Sequence, residues 1–233
     1  METEVIWNRV RDVRKGPRPT HTLDDIARAA ISLGDTKGID AVSIRAVAAD
    51  LGAGAASLYR YISRKDDLYD LMVDAVAAEY ALPSAPSGDW RADIALIAQR
   101  VRVAYRRHPW AAELTPHASW GPHTQDYMQF FLAALEPTGL APRDRIEFIG
   151  LMNAWIGTFT GLEQPPPAAY AAARIRHFVS MAADPARPHL ARAITALMHA
   201  DPAESSPDQL FERGLDRLVR GIVQGTPGEA ITQ

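Results

Sequence analysis

The chain has 233 residues, 47% of them hydrophobic and 23% charged, with a formal net charge of −3. That length allows one large domain, or a small domain joined to a medium one, and the apolar share is enough for a core. With no cysteine, disulfides and thiolate metal sites are excluded, which fits a reducing cytoplasm.

The charge is unevenly spread. Residues 1–65 hold 11 Lys and Arg against 8 Asp and Glu, whereas residues 66–233 hold 14 against 20. A basic first third on an acidic body points to a polyanion partner for that third. The N-terminus, METEVIWNRVRDVRKGPRP, has no apolar run, so no secretory leader is expected. The longest uncharged stretch, Phe148–Leu162, contains Asn and Thr and is too short to span a membrane. It reads as a buried helix or a subunit interface.

Almost the whole chain reads as helix, and no period-two strand pattern stands out. Thr22 with Asp25 forms a capping box, and Ile26, Ala29, Ala30 and Leu33 follow as an apolar stripe. This first helix is expected to end near Gly34, with Gly38 in the turn beyond it. Ser43 caps a second, short helix whose Ile44, Val47, Ala48 and Leu51 face inward, and Gly52 terminates it. Ala53-Gly54 makes a turn, and AASLYRY winds for two turns. Ser63 with Asp66 opens a fourth helix over Arg64–Ala81, and LPSAPSGD connects it to the rest. Beyond it, helices are expected over 89–107, 122–136, 142–162, 167–183, 187–200 and 207–224, punctuated by proline and glycine.

The stretch DLGAGAASLYRYISRKDDL, Asp50–Leu68, carries the chemistry. As a phosphate loop it fails: a helix precedes it, the third glycine of G-x-G-x-x-G is missing, and no parallel-sheet pattern follows. As a plain structural corner it explains Leu58 and Ile62 but not the polar residues between them. As a helix-turn-helix it explains both. Gly54, Ala55 and Ala56 let the backbone approach base edges, and the Ala55 methyl suits a thymine methyl. Ser57, Tyr59 and Tyr61 offer hydroxyls to phosphates. Lys65 starts the next helix, where charge and free N–H groups both favour a phosphate, and Arg45 is placed to reach a phosphate or a guanine.

These residues resemble the DNA-binding head of the tetracycline-repressor (TetR/AcrR) family. The family hallmark is a helix-turn-helix followed by L-Y-x-[HY]-[FVI]-x-x-K-x-x-L, here Leu58-Tyr59-Arg60-Tyr61-Ile62-Ser63-Arg64-Lys65-Asp66-Asp67-Leu68. The resemblance covers residues 22–80. It implies DNA contacts at Ser43, Arg45, Ala55, Ser57, Tyr59, Tyr61 and Lys65; Gly54, Ala56 and Arg60, the last at a position where a basic or an aromatic residue can occur, complete the candidate surface. Ala55 stands at the base-reading position and offers only apolar contact, so the operator cannot be copied from the tetracycline repressor. The basic residues Arg9, Arg11, Arg14, Lys15 and Arg18 make residues 1–21 a flexible basic arm, either solvated or following the DNA.

The body, from HPWAAELTPH to LFERGLDRLVRGI, resembles the regulatory domain of the same family more loosely. The implied architecture is all-α: a three-helix helix-turn-helix head with its connecting fourth helix (22–81), then a larger helical domain for ligand binding and dimerisation (82–233). The implied pocket is largely apolar, with Trp110, Trp120, Tyr127, Phe131, Trp155 and Phe159 as aromatic candidates. Its polar candidates are His117, His123, Gln125, Asn153, Thr158 and Glu163. In the tetracycline repressor a His and a Glu help hold a magnesium–drug chelate. His117 and Glu163 fall at comparable places, but the alignment at His117 is slack, and no metal or other cofactor is expected. Gly150, Gly157, Phe211, Leu215, Leu218 and Ile222 are the candidates for a homodimer bundle. A head that reads DNA in this way needs two copies about 34–36 Å apart.

The resulting expectation is a cytoplasmic, ligand-responsive transcriptional regulator. It acts as a homodimeric repressor on a palindromic double-stranded operator, is released by a largely apolar effector, and has no membrane partner. A protein-interaction adaptor is the alternative. An enzyme is not expected: His117 and His123 lack i,i+4 pairing, and neither a cysteine nucleophile nor G-x-S-x-G occurs.

Overall fold

A computed structural model of the chain describes residues 5–9, 21–117, 119–164, 168–201 and 206–224. All regular structure among these residues is helical. The order is α1 (Ile6–Arg9), α2 (Leu23–Lys37), α3 (Ile44–Asp50), α4 (Ala55–Leu58), α5 (Lys65–Ala78), α6 (Trp90–Arg107), α7 (Pro109–Glu113), α8 (Pro122–Ala134), α9 (Pro142–Leu162), α10 (Ala168–Met181), α11 (Pro188–Met198) and α12 (Pro207–Gln224). The chain divides into two compact units, one running through Thr160 and a smaller one over Gly161–Gly221. Among the described residues no helix is long and apolar enough to cross a membrane.

The caps explain where the first helices begin. Asp25 N–H donates to Thr22 Oγ1 at 3.1 Å, and Thr22 N–H donates to Asp25 Oδ2 at 2.9 Å, closing the expected box. Ser43 Oγ accepts from Ala46 N–H and starts α3. The start of α5 corrects the sequence reading by one residue. Asp67, not Asp66, closes it, accepting from Ser63 N–H at 2.7 Å and Arg64 N–H at 3.2 Å. Asp67 faces the interior while Asp66 is exposed, so only Asp67 is turned back toward the chain that enters the helix.

Gly34 does not end α2. The helix runs on to Lys37, and Gly38, at φ +81°, stops it. A Cβ at Gly34 would lie 2.9 Å from Trp110 Nε1, so this glycine instead makes room for an indole. Trp110 Nε1–H in turn donates to Asp35 Oδ1 at 2.7 Å. The His108 ring is buried in the same corner, with Nδ1 2.8 Å from Asp35 Oδ1 and Nε2 3.2 Å from both oxygens of Glu79. Arg107 adds a 2.8 Å ion pair to Glu79. The end of α2, the residue after α5 and the α6–α7 junction are thus tied together by polar side chains. Helix α7 was not expected from sequence: its five residues are too few to show a period, and Pro109 at its first turn read only as punctuation.

Helix α5 packs between α2 and α8. Its Leu68, Leu71, Met72 and Val76 are buried, together with Asp67, Asp70 and Asp74. Three buried carboxylates on one helix need partners, and those partners bind the helix to its surroundings. Within the segment read as a flexible arm, residues 5–9 are folded: Ile6 is fully buried. Arg11, Arg14, Lys15 and Arg18 lie outside the described residues, as does the side chain of Arg9.

Candidate functional site

The helix-turn-helix is built from α3, the turn at Leu51–Gly54, and α4. Gly52 has φ +64°, which a side chain would oppose. Leu58 and Ile62 anchor α4 in the core, and the opposite side faces solvent. Ser43, Arg45, Gly54, Ala56, Tyr59, Arg60 and Lys65 are exposed, while Ala55, Ser57 and Tyr61 are half-buried. All ten residues fall at the start of α3, at the end of the turn before α4, on α4 and the turn after it, or at the start of α5. Tyr59 is 50% exposed, a large aromatic side chain open to solvent. The hydroxyl of Ser57 already donates to Gly54 O at 2.6 Å. It can therefore accept from a partner freely but must give up that bond to donate to one. Arg60 lies over the Tyr61 ring at 5.8 Å, and Lys65 Nζ is 5.2 Å from the centre of the Tyr69 ring.

From Lys65 a continuous path leads inward. The Tyr69 ring meets His117 edge-on at 5.7 Å, and His117 Nε2 is 3.0 Å from Asp70 Oδ1. Ser119 Oγ–H donates to the Asp70 carbonyl at 3.1 Å. Asp74 Oδ1 accepts from Thr124 N–H at 2.8 Å and from Thr124 Oγ1–H at 3.0 Å. His117, Ser119 and Thr124 are thus each bonded to α5. Desolvation raises the Asp70 carboxyl above the usual range, with the His117 hydrogen bond and charge opposing it.

His117 also lines a cavity of about 520 Å³ between α5, α6, α8 and α9. Tyr80, Tyr105, Tyr127, Trp120, Met128 and Ile149 supply its apolar and aromatic wall, and Thr115, His117, Thr124 and Asn153 its polar points. Among the described residues, none that lines it is Asp, Glu, Lys or Arg. Tyr127 O–H donates to Asn153 Oδ1 at 2.6 Å. Burial raises the phenols of Tyr80, Tyr105 and Tyr127, so they stay neutral donors. Size and lining fit a small-molecule site.

His117, Trp120, Tyr127 and Asn153 are the sequence candidates on this wall. Trp110 is instead part of the Gly34–Asp35 corner. Phe131 is core, edge-on between Tyr127 and Phe148. His123 faces two other clefts, one of them against the Leu82–Pro86 connection. Trp155 and Phe159 pair with each other at 5.6 Å, with Arg102 over Phe159. Gln125 is exposed, donating to Trp120 O, and Thr158 is exposed. Glu163 belongs to the smaller unit. Among the described residues no group of three or more His, Asp or Glu is placed to hold a metal. The sequence reading missed Tyr80 and Tyr105. Each is a buried tyrosine near a helix end, and from sequence their hydroxyls cannot be told from surface ones.

Gly157 departs from its assigned role at a dimer interface. A Cβ there would lie 2.6 Å from Thr115 Oγ1, so it admits Thr115 within the same chain. Gly150 is exposed, with open space around it. Phe211 and Leu215 are covered within the single chain, along with Val219 four residues on. Leu218 is half-buried, and the Ile222 side chain lies outside those described.

The comparisons with known proteins agree with this layout. Residues 26–72 match the model for bacterial regulatory proteins of the tetR family, and residues 82–225 match the tetracyclin repressor-like C-terminal domain. The repressor DrrR1 of Streptomyces coeruleorubidus is 36% identical over 66% of this chain and 57% of its own length. A regulator of Saccharopolyspora erythraea is 38% identical over 54% of each, so the chain spans little more than half of these curated relatives. The structure of ActR from Streptomyces coelicolor in complex with actinorhodin superposes with a TM-score of 0.75 at 25% identity, covering 91% of this chain and 99% of that one. With a helix-turn-helix matched at one end and the regulatory domain over most of the remainder, this chain belongs to the tetR family of bacterial regulatory proteins.

Proposed function

We propose that this chain is a homodimeric transcriptional repressor that binds operator DNA through α3, α4 and the start of α5, and that a small molecule in the α5–α9 cavity releases it. One observation carries the reading. His117 belongs to the cavity wall and is bonded to Asp70 on α5, the helix whose first residue is Lys65 at the exposed head surface. A molecule that displaces His117 therefore acts on the helix that positions the head. ActR, of the same fold, has been captured with actinorhodin and with (S)-DNPA, which supports a small-molecule effector here.

The lining of the cavity supports one kind of effector. Aromatic walls and the lack of ionised side chains favour an uncharged, flat molecule of several rings. Neutral phenols and the Asn153 amide favour carbonyl or hydroxyl oxygens on its edge. Release needs differential binding to the two head spacings, about 1.4 kcal/mol for each tenfold loss of DNA affinity.

The test is fluorescence anisotropy with the DNA flanking the protein's own gene, against random DNA, over a salt series. Tight, steeply salt-dependent binding with two protomers or a pair of dimers per site is expected. Absence of duplex binding even at low salt, after ligand removal, overturns the reading and favours a protein-interaction adaptor.

A further inference from the structure

We propose that the N-terminal Ile6–Arg9 helix is an intramolecular brace on the 117–121 segment, and that it sets how much effector is needed to move α5. The inference rests on the cavity reading above and concerns the opposite face of the same wall. His117 and Trp120 line the effector cavity on one side. On their other side they border a pocket shared with Val5, Trp7, Asp66 and Asp70. The segment is thus a partition with the cavity before it and the N-terminal residues behind it.

The brace is seated at a defined point. A Cβ at Gly121 would fall 2.5 Å from Trp7 Cζ2 and 2.3 Å from Asp74 Cγ. Only a glycine lets the indole, the 121 backbone and the Asp74 carboxylate meet there. Asp74 is the residue that holds Thr124 to α5, so Trp7 closes over the stitching between the partition and the helix. Ile6, next to it, is fully buried and anchors α1.

The seat is also releasable. Trp7 Nε1 is buried with no hydrogen-bond partner, so the contact is apolar and carries an unmet donor. A cavity occupant that pushes His117 outward pushes the partition against Trp7. The brace opposes that movement, and removing it lowers the effector demand.

Amide hydrogen exchange, together with titration by Nile red, a neutral multi-ring fluorophore, tests this on the full-length protein. Trp7→Ala should keep the helical circular dichroism. It should speed exchange at His117 and residues 119–121 while leaving residues 39–62, which share no cleft with Trp7, unchanged. It should tighten Nile red binding about threefold or more, and Trp7→Leu should change both in the same sense by less. Unchanged exchange overturns the brace, and faster exchange with unchanged dye affinity overturns its regulatory role. Gly150→Phe, which adds a ring to the α9 wall of the cavity, should abolish dye binding while keeping the helical circular dichroism. Should dye still bind this variant, the cavity reading itself fails and the regulatory role falls with it.

Discussion

Replacing Gly34 with alanine sets two opposing terms against each other. In a helix interior alanine gains about 1 kcal/mol over glycine. The added Cβ, however, would lie 2.9 Å from Trp110 Nε1 and 3.0 Å from Cδ1. The indole is 2% exposed and pinned to Asp35, so it cannot retreat. Overpacking of this kind costs about 1–3 kcal/mol, and Gly34→Ala should lower the melting temperature despite its propensity gain. An unchanged or raised melting temperature would show that the corner yields. Asp70 gives a prediction in pH. Its folded carboxyl is raised above the ordinary 3.8 by desolvation, so its buried charge opposes folding at neutral pH. As pH falls through the folded value, the folded state takes up the proton first, and the stability so gained is complete below 3.8. Asn keeps an oxygen for His117 without the charge. Asp70→Asn should therefore melt higher than the parent at neutral pH, with the gap closing on acidification. A gap that widens toward acid contradicts this account.

At the scale of elements, α5 joins the two ends of the proposed mechanism, and Lys65 at its start is the place to probe the DNA side. One lost phosphate contact should weaken binding to all sequences alike and reduce the salt slope by about one. Lys65→Ala should show both in anisotropy titrations, whereas a retained slope means that Lys65 meets no phosphate. The head was legible in sequence because its signals are local. Thr22 with Asp25, Ser43 and Gly52 cap or stop helices within a few residues of where they stand, and Leu58 and Ile62 share one face by spacing alone. The cavity was legible only in part. His117, Trp120, Tyr127 and Asn153 sit on its wall, but Trp110 was drawn away by a glycine more than seventy residues earlier in the chain. Phe131 was drawn away by ring packing to Phe148. Tyr80, just past α5, and Tyr105 on α6 meet only after folding. Residue type marks such positions as aromatic and buried; tertiary packing decides which of them face the cavity.

At the scale of the whole molecule, α9 has two unlike faces. Phe148, Ile149, Met152, Ile156 and Thr160 are buried in the single chain. Leu151, Ala154 and Thr158 are exposed on the other side, Leu151 at 61%. From Gly150 to Leu162 this helix carries no charged residue at all. A solvated helix face is ordinarily charged, and one that is not suits a second protein surface. The face is continuous along α9 and self-complementary in character, which suits a two-fold contact between copies. Two heads on one dimer make the second half-site contact intramolecular, and such coupling commonly contributes about 10²–10⁴ in avidity. A charge at the centre of the face should therefore cost far more DNA affinity than its distance from the head suggests. Leu151→Glu should sediment as a monomer and keep its helical circular dichroism. It should lose on the order of 100-fold or more in operator affinity, while its weak binding to random DNA, made head by head, changes little. A variant that stays dimeric would move the interface to another face, and a monomer with full operator affinity would remove the need for paired heads.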